Sequence, residues 1–292
     1  MLISTESVKG LISKSGKSRE VFCEGLFLSA RWFVVSQYDY EGVQLIVMPD
    51  KDSAEYCAAD LYNLIEGDRV FFLPHSGKNL ERSNYKSTLG VQRTSSIGKI
   101  LSYESDTLIV VTYPAALEEL IPSAENIRKS IMKISVGDEI SHDNIVEALF
   151  DAGFERVDFV AEPGQFAIRG AIVDIFSYSY NDPFRISFFG DEVDSINIFD
   201  CNTQLSKEKA EAAEIYPDIT ADEGECQMSS VIDILPDDAL IWLDSSDMYR
   251  ENDFFAKLDK FRKIYLDLPL ARQNIESSLF YKNPHPVLKK NF

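Results

Sequence analysis

Residues that ligate metals or act as nucleophiles are scarce in this chain. It has four cysteines and three histidines in 292 residues. Cys23, Cys57, Cys201 and Cys226 stand far apart with no CxxC pair, and His75, His142 and His285 are just as isolated. That scatter argues against a zinc cluster or a disulfide framework, and it gives no histidine a nucleophile to activate. Thiols in a reducing cytoplasm are the expectation, with no metal and no other cofactor. Long apolar runs are missing as well. None reaches the about 18 residues of a membrane span, and the first residues lack the apolar core of a signal peptide, so a cytoplasmic protein without a membrane partner is expected. Positive charge is in deficit, with 29 Lys and Arg against 48 Asp and Glu, a formal net charge of −19. Such a surface repels phosphate backbones, and no basic stripe offsets it, so no direct nucleic-acid binding is expected of this chain.

An apolar fraction of 45% beside 26% charged residues is that of a globular chain, and the length points to about two or three domains. Near the start, GLISKSGKS (10–18) imitates a phosphate-binding loop. The required glycine, five residues before Gly16, would fall at Leu11, and no apolar strand leads into the segment. It reads as a basic terminal stretch. Adjacent acids such as Glu118-Glu119, Asp191-Glu192 and Asp237-Asp238 do not share a site, because neighbours on a strand or helix point in different directions.

Three regions follow. Over 1–124, REVFC enters a turn and LFLSARWFVVSQ has helical spacing. VQLIVM, RVFFLP and TLIVVT are runs suited to strands buried on both faces, and DSAEYCAADLYNLIEG between them is a helix with a cap at Asp52 or Ser53. This alternation predicts a parallel sheet. Over 125–206, a helix capped near Ser141 or Asp143 gives way to short strands in quick succession, with turns at Pro163-Gly164 and Gly190-Asp191, an antiparallel α+β module. Over 207–292, SKEKAEAAE is helical or connecting. ALIWLD is a buried strand, SDMYRENDFFAKLDKF an amphipathic helix, and KIYLDLPL another strand.

The most specific stretch is GFERVDFVAEPGQFAIRGAIVDIFSYSYNDPFRISFFGDEVDSINIFD (153–200). Its aromatic–ERxD start, glycine turn, RG strand pair and closing RIxFFGDE hairpin resemble the inserted domain shared by the excinuclease protein UvrB and the bacterial transcription-repair coupling factors. The resemblance implies an α/β fold in which a degenerate P-loop, helicase-like parallel-sheet domain (1–124 and 207–292) is split by an inserted antiparallel α+β domain (125–206). It also implies the place of a nucleotide loop, GLFLSARW (25–32). Gly25 holds the first glycine position, Leu28 the next, and Ser29 precedes Ala30, Arg31 and Trp32, which stand where glycine, lysine and the hydroxyl would be. Asp244 keeps the second acidic motif, but Ser245 replaces its glutamate. Backbone cannot wrap phosphate at Ala30 and Trp32 cannot ligate magnesium, so no nucleotide chemistry is expected here.

The coupling-factor N-terminal region, with lost ATPase chemistry, fits better than UvrB, whose tyrosine-rich DNA-clamping hairpin is not found. This chain would then be a piece of a longer protein that also engages RNA polymerase and duplex DNA. The family's inserted domain docks the excinuclease protein UvrA. Residues 151–200 hold three cations, Arg156, Arg169 and Arg185, amid ten acids. Arginine suits bidentate pairing with a partner's carboxylates. Arg156 and Arg169 match the family's motif positions, with Arg185 and the aromatic Phe176 as further partner-binding candidates. Phe188 and Phe189 alternate faces, so at most one of them is exposed. The competing reading is an active DNA-dependent ATPase, a damage-binding module like UvrB.

Overall fold

The computed structural model describes residues 19–266, apart from 24–25, 27–29, 39, 68, 78–87, 105, 221–225 and 245–252. The chain is mixed α/β and forms two compact units. The first is assembled from Met1–Leu73, Tyr103–Glu118 and Leu235–Phe292, the second from Pro74–Ser102 and Glu119–Ile234.

In the first unit six strands form one sheet in the order Glu20–Phe22, Arg262–Tyr265, Leu240–Leu243, Gly42–Val47, Thr107–Thr112, Val70–Phe72, and every neighbouring pair is parallel. The continuous apolar runs become its central strands, and all six residues of Gly42–Val47 are buried. REVFC, expected as a turn, is an edge strand instead. Its partner is Arg262–Tyr265, more than two hundred residues away, a pairing that local sequence does not signal. The helix Lys51–Leu64 is capped by Asp50, whose carboxylate accepts the Ser53 N–H at 2.8 Å, slightly ahead of the cap read from the sequence. Its buried residues Ala54, Cys57, Ala58 and Leu61 recur at helical spacing and pack with Trp32, Ile46 and Trp242 in one core. The Trp242 indole N–H donates to buried Gln44 Oε1 at 2.9 Å, so the largest core side chain keeps its polar atom satisfied. The expected C-terminal amphipathic helix is, over its described part, the 3₁₀ segment Asp253–Lys260. Phe255, Leu258 and Phe261 are buried at intervals of three, the period of that tighter helix.

The second unit has a six-stranded sheet in the order Ser206–Ala210, Glu192–Phe199, Phe184–Phe189, Ile172–Ile175, Gln165–Arg169, Glu155–Arg156, antiparallel except for the last pair. Helix His142–Asp151, capped by Ser141 through the Asn144 N–H, packs Ile145 and Leu149 with Phe166, Val173, Phe184 and Ile186 of one sheet face. SKEKAEAAE is neither helix nor connection. It supplies the edge strand Ser206–Ala210 and then Ala212–Ile215, which pairs with Met132–Ser135. Its lysines and glutamates favour a helix by propensity, but pairing with Glu192–Phe199 prevails, and those charges suit an exposed sheet edge. Helices Thr88–Leu101 and Ala124–Ser130 also belong to the unit. No helix of the described residues is long and apolar enough to cross a membrane.

Gly98, inside helix Thr88–Leu101, sits hard against buried Ser179, and an added methyl would lie 2.9 Å from the Ser179 Cβ. An exposed helical Gly→Ala change stabilises by about 1 kcal/mol. Here overpacking outweighs that gain, and Gly98→Ala is expected to destabilise by about 1–3 kcal/mol in denaturant titration.

Candidate functional site

Two arrangements could carry function. The first lies in the parallel sheet at the carboxyl ends of its strands. From Gly42–Val47 the chain passes to Val70–Phe72 on one side, and from the adjacent Leu240–Leu243 it passes to Arg262–Tyr265 on the other. Ligands of open α/β sheets bind in the crevice at such a switch of direction. Asp244 follows the strand there, its N–H donating to Val47 O at 3.2 Å, and its carboxylate pairs with the Arg31 guanidinium from helix Ala30–Ser36. The two residues assigned to the lysine and acidic positions of a nucleotide site therefore meet, and they bind each other. The Arg31 guanidinium also lies 4.8 Å from the Trp32 ring centre, and Trp32 is itself buried in the core rather than turned to a ligand. Burial lowers the pKa of Arg31, though a guanidinium stays charged, and burial pushes the nearby Cys57 thiol far up, so that it is an inert core thiol. Gly25, Leu28, Ser29 and Ser245, the side chain of Ala30, and the Gly16–Ser18 imitation all lie outside the described residues.

The second arrangement is the sheet face of the second unit that turns away from helix His142–Asp151. In the register, Ala167 pairs with Asp174 and Asp174 with Arg185, so Asp174 lies at the centre of that face. Its side chain is only 1% exposed, yet it takes two arginines. Arg185 grips it bidentately, Nε to Oδ1 at 2.7 Å and Nη2 to Oδ2 at 2.9 Å, while Arg169 reaches Oδ2 from the other side. Arg185 spends two further donors on Gln204, at 3.2 Å to the backbone carbonyl and 3.1 Å to the amide oxygen, and stacks 4.0 Å from the Phe199 ring centre. The hydrogen bond to Asp174 raises the Arg185 pKa despite its burial. Arg185 thus ties the 200–205 turn to the sheet and has little left to offer a partner. Arg169 is different: a third of its side chain is open, and its guanidinium stands 5.0 Å from the ring centre of exposed Phe159.

The other expected contacts are placed differently. Phe176, read as an aromatic anchor, is 4% exposed and packs with Val160, Ala167 and Phe199, so it fills a small core beneath the 157–164 loop instead of facing a partner. A Phe two residues beyond Asp174 has the same facing, and only the loop folded over it decides its burial. Arg156 is exposed at the open sheet edge and is joined by no ion pair to another described residue, but its register partner is Phe166, whose ring belongs to the opposite, helix-packed face. Arg169 and Arg185 share a face and a carboxylate; Arg156 does not join them. The alternation read for Phe188 and Phe189 holds, with Phe188 buried and Phe189 81% exposed. Asp174 and Phe159 were missed. Alternation gives Asp174 the facing of Phe176, but only the pairing of distant strands brings Arg185 beside it. Among the described residues no three His, Cys, Asp or Glu side chains converge as metal ligands, and none of the four cysteines forms a disulfide.

The sheet, its helix and the flanking Met132–Ser135 and Ala212–Ile215 ladder coincide with a family match. The family model described as the UvrB interaction domain matches residues 132–220. Its wider likeness is to transcription-repair-coupling factors. That of Bacillus subtilis is 34% identical over 165 residues, 56% of this chain and 14% of that protein. That of Mycobacterium bovis is 29% identical over 186 residues, 61% of this chain and 15% of that protein. UvrABC system protein B of Methanosarcina mazei is 39% identical over 93 residues, 32% of this chain and 14% of that protein. The resemblance read from residues 153–200 holds in both kinds of comparison, and the matched stretches span about a seventh of the length of these relatives.

The arrangement around Asp174 makes an asymmetric prediction. Asp174→Ala removes the shared anion and leaves two crowded guanidiniums, with an expected loss of about 2–4 kcal/mol. Arg169→Ala leaves Asp174 held bidentately by Arg185 and should cost under about 1 kcal/mol. Urea unfolding of the two variants beside the parent chain checks both values.

Proposed function

We propose that this chain is a non-catalytic recruitment module of transcription-coupled nucleotide excision repair, docking the excinuclease protein UvrA through the antiparallel unit. The observation that carries this reading is the coincidence of the UvrB interaction domain match with a sheet face built around Arg169. In a chain of net charge −19, a partly open arginine held rigid on a sheet is a ready point of attachment for a partner's carboxylate. Arg156 extends the surface at the sheet edge, within reach of a partner that wraps around it. Arg185 acts from behind, by holding Asp174.

In this reading the parallel sheet is a degenerate helicase-like domain, split by the docking domain and retained as scaffold. Arg31 and Asp244 satisfy each other where a working site would meet magnesium and phosphate, which favours the scaffold reading over an active ATPase like UvrB. RNA polymerase and duplex DNA would be partners of the longer protein, engaged outside this chain.

Two measurements test the reading. Titration of purified UvrA should show saturable binding to the parent chain and at least tenfold weaker binding to a folded Arg156→Ala/Arg169→Ala variant; equal affinities would move the interface elsewhere. Thermal unfolding with and without millimolar Mg–ATP should give the same midpoint. Because a ligand bound only to the folded state must raise it, a reproducible upward shift would restore the ATPase reading.

A further inference from the structure

Opposite the crevice of Arg31 and Asp244 lie the amino ends of the parallel strands, and there the residues at the starts of four neighbouring strands form one patch. Tyr38 and Tyr40 stand just ahead of Gly42–Val47, Tyr103 and Asp106 ahead of Thr107–Thr112, and Asp237 and Asp238 ahead of Leu240–Leu243, while Arg262 opens Arg262–Tyr265. The register aligns them, since Gly42 pairs with Thr107 and Leu240 pairs with both Gln44 and Arg262. The Tyr38 and Tyr40 rings are parallel to within 4° at 6.0 Å, and Tyr38 meets buried Trp242 edge-on at 5.4 Å. Tyr38, Tyr40 and Tyr103 are each only partly buried.

The rings are held from several sides. Arg262 Nη1 donates to the Tyr38 hydroxyl at 3.2 Å. The Tyr40 hydroxyl donates to Asp238 O, and the Tyr40 carbonyl accepts the Thr107 hydroxyl at 2.9 Å. Asp106 O accepts the Tyr103 hydroxyl at 2.8 Å and the Gly42 N–H at 3.0 Å. These two donors fix Asp106 at φ 90°, a conformation that residues other than glycine rarely adopt, and such strain persists only where the surroundings impose it. Gly42 is required beneath Tyr40, because an added Cβ would lie 2.5 Å from a carbon of that ring. Around the rings Glu41, Glu104, Asp106, Asp237 and Asp238 are exposed. Arg69 is engaged with Asp106 at 3.3 Å and Arg262 with Tyr38, so the acids dominate. Burial, then the charges of Asp238, Asp106 and Glu41, raise the Tyr103 pKa; burial, then Asp238, raise that of Tyr40. Both hydroxyls therefore stay neutral, and the carboxylates carry the negative charge.

We propose that this patch is a docking site for an extended, Lys- or Arg-rich segment of a partner protein, which lays a cation against the tyrosine rings and meets the carboxylates on either side. Charge complementarity selects that occupant. A ring face attracts a cation, a rim of carboxylates adds Coulombic attraction and steering, and a nucleic acid would be repelled. The dimensions suit a short stretch of chain. From Arg262–Tyr265 to Val70–Phe72 the sheet crosses four strand intervals, roughly 19 Å at ordinary spacing, the reach of about six extended residues. Aromatic groups fixed before a partner arrives lose little freedom on binding. The patch belongs to the parallel sheet and does not depend on the docking of UvrA through the antiparallel one.

The test is a fluorescence-anisotropy titration of a labelled hexapeptide of alternating arginine and glycine against the whole chain and four variants. Glu41→Gln/Asp238→Asn removes two charges of the rim, Tyr103→Leu removes a ring face, and Tyr103→Phe restores the face without the hydroxyl. Glu147→Gln/Asp151→Asn removes the same charge from exposed positions of helix His142–Asp151, in the other unit. The parent should bind saturably and more weakly as salt rises. The rim variant and Tyr103→Leu should each bind about fivefold more weakly or worse, while Tyr103→Phe and the helix variant stay within about twofold of the parent. A loss in the helix variant equal to that in the rim variant reduces the binding to diffuse attraction and overturns the site. So does parent-like affinity of the rim variant, or the absence of saturable binding by the parent. Sedimentation of the parent as a dimer that the rim variant abolishes would give the face to a second copy and overturn the basic segment.

Discussion

A carboxylate with almost no access to water has to be compensated, and in the second unit that requirement organises one whole sheet face. Asp174 sits on a central strand of the six, held bidentately by Arg185, with Arg169 closing on it from the other side. Arg185 in turn fixes the 200–205 turn through Gln204, and the position of Arg169 sets where Phe159 can stack. One buried anion thereby converts a loop, a turn and two strands into a rigid surface. The strand ladder alone would leave these side chains free to sample many rotamers.

The parallel sheet follows the same electrostatic rule with the opposite consequence. Arg31 and Asp244 meet at the crevice where sheets of this kind hold their ligands, and each consumes the other's charge. In the antiparallel sheet the anion is shared by two cations, so a net positive point remains at the surface. In the parallel sheet Arg31 and Asp244 are turned to each other. A chain so rich in acid keeps exposed cationic capacity on one sheet and neutralises it internally at the crevice of the other.

How far the sequence could be read depended on the range of the interactions involved. Central strands of the parallel sheet were legible because burial on both faces forces unbroken apolar runs, as in VQLIVM and ALIWLD. The antiparallel domain was legible as a pattern, RG and FFGDE included, and so was the opposite facing of Phe188 and Phe189. What escaped were outcomes set by distant partners. REVFC became a strand only because Arg262–Tyr265 lies beside it, and SKEKAEAAE became one because Glu192–Phe199 offered an edge. Phe176 had the expected facing but not the expected exposure, since the loop that carries Val160 folds over it. Asp174 looked like one acid among ten until strand pairing set it between two arginines.

The order of strands in the parallel sheet bears on how the molecule is made. Leu240–Leu243 is hydrogen-bonded between Gly42–Val47 and Arg262–Tyr265, near the middle of the sheet, yet it follows four of the sheet's other strands in the chain. Until it emerges from the ribosome, Gly42–Val47 has a neighbour on one side only, and the edge strand Glu20–Phe22 has none. The antiparallel sheet suffers no such delay, because its six strands lie within 155–210 and pair mostly with their neighbours in sequence. Low sequence separation favours rapid pairing, so the antiparallel unit can mature on the nascent chain while the sheet that encloses it in sequence still waits for its central strand.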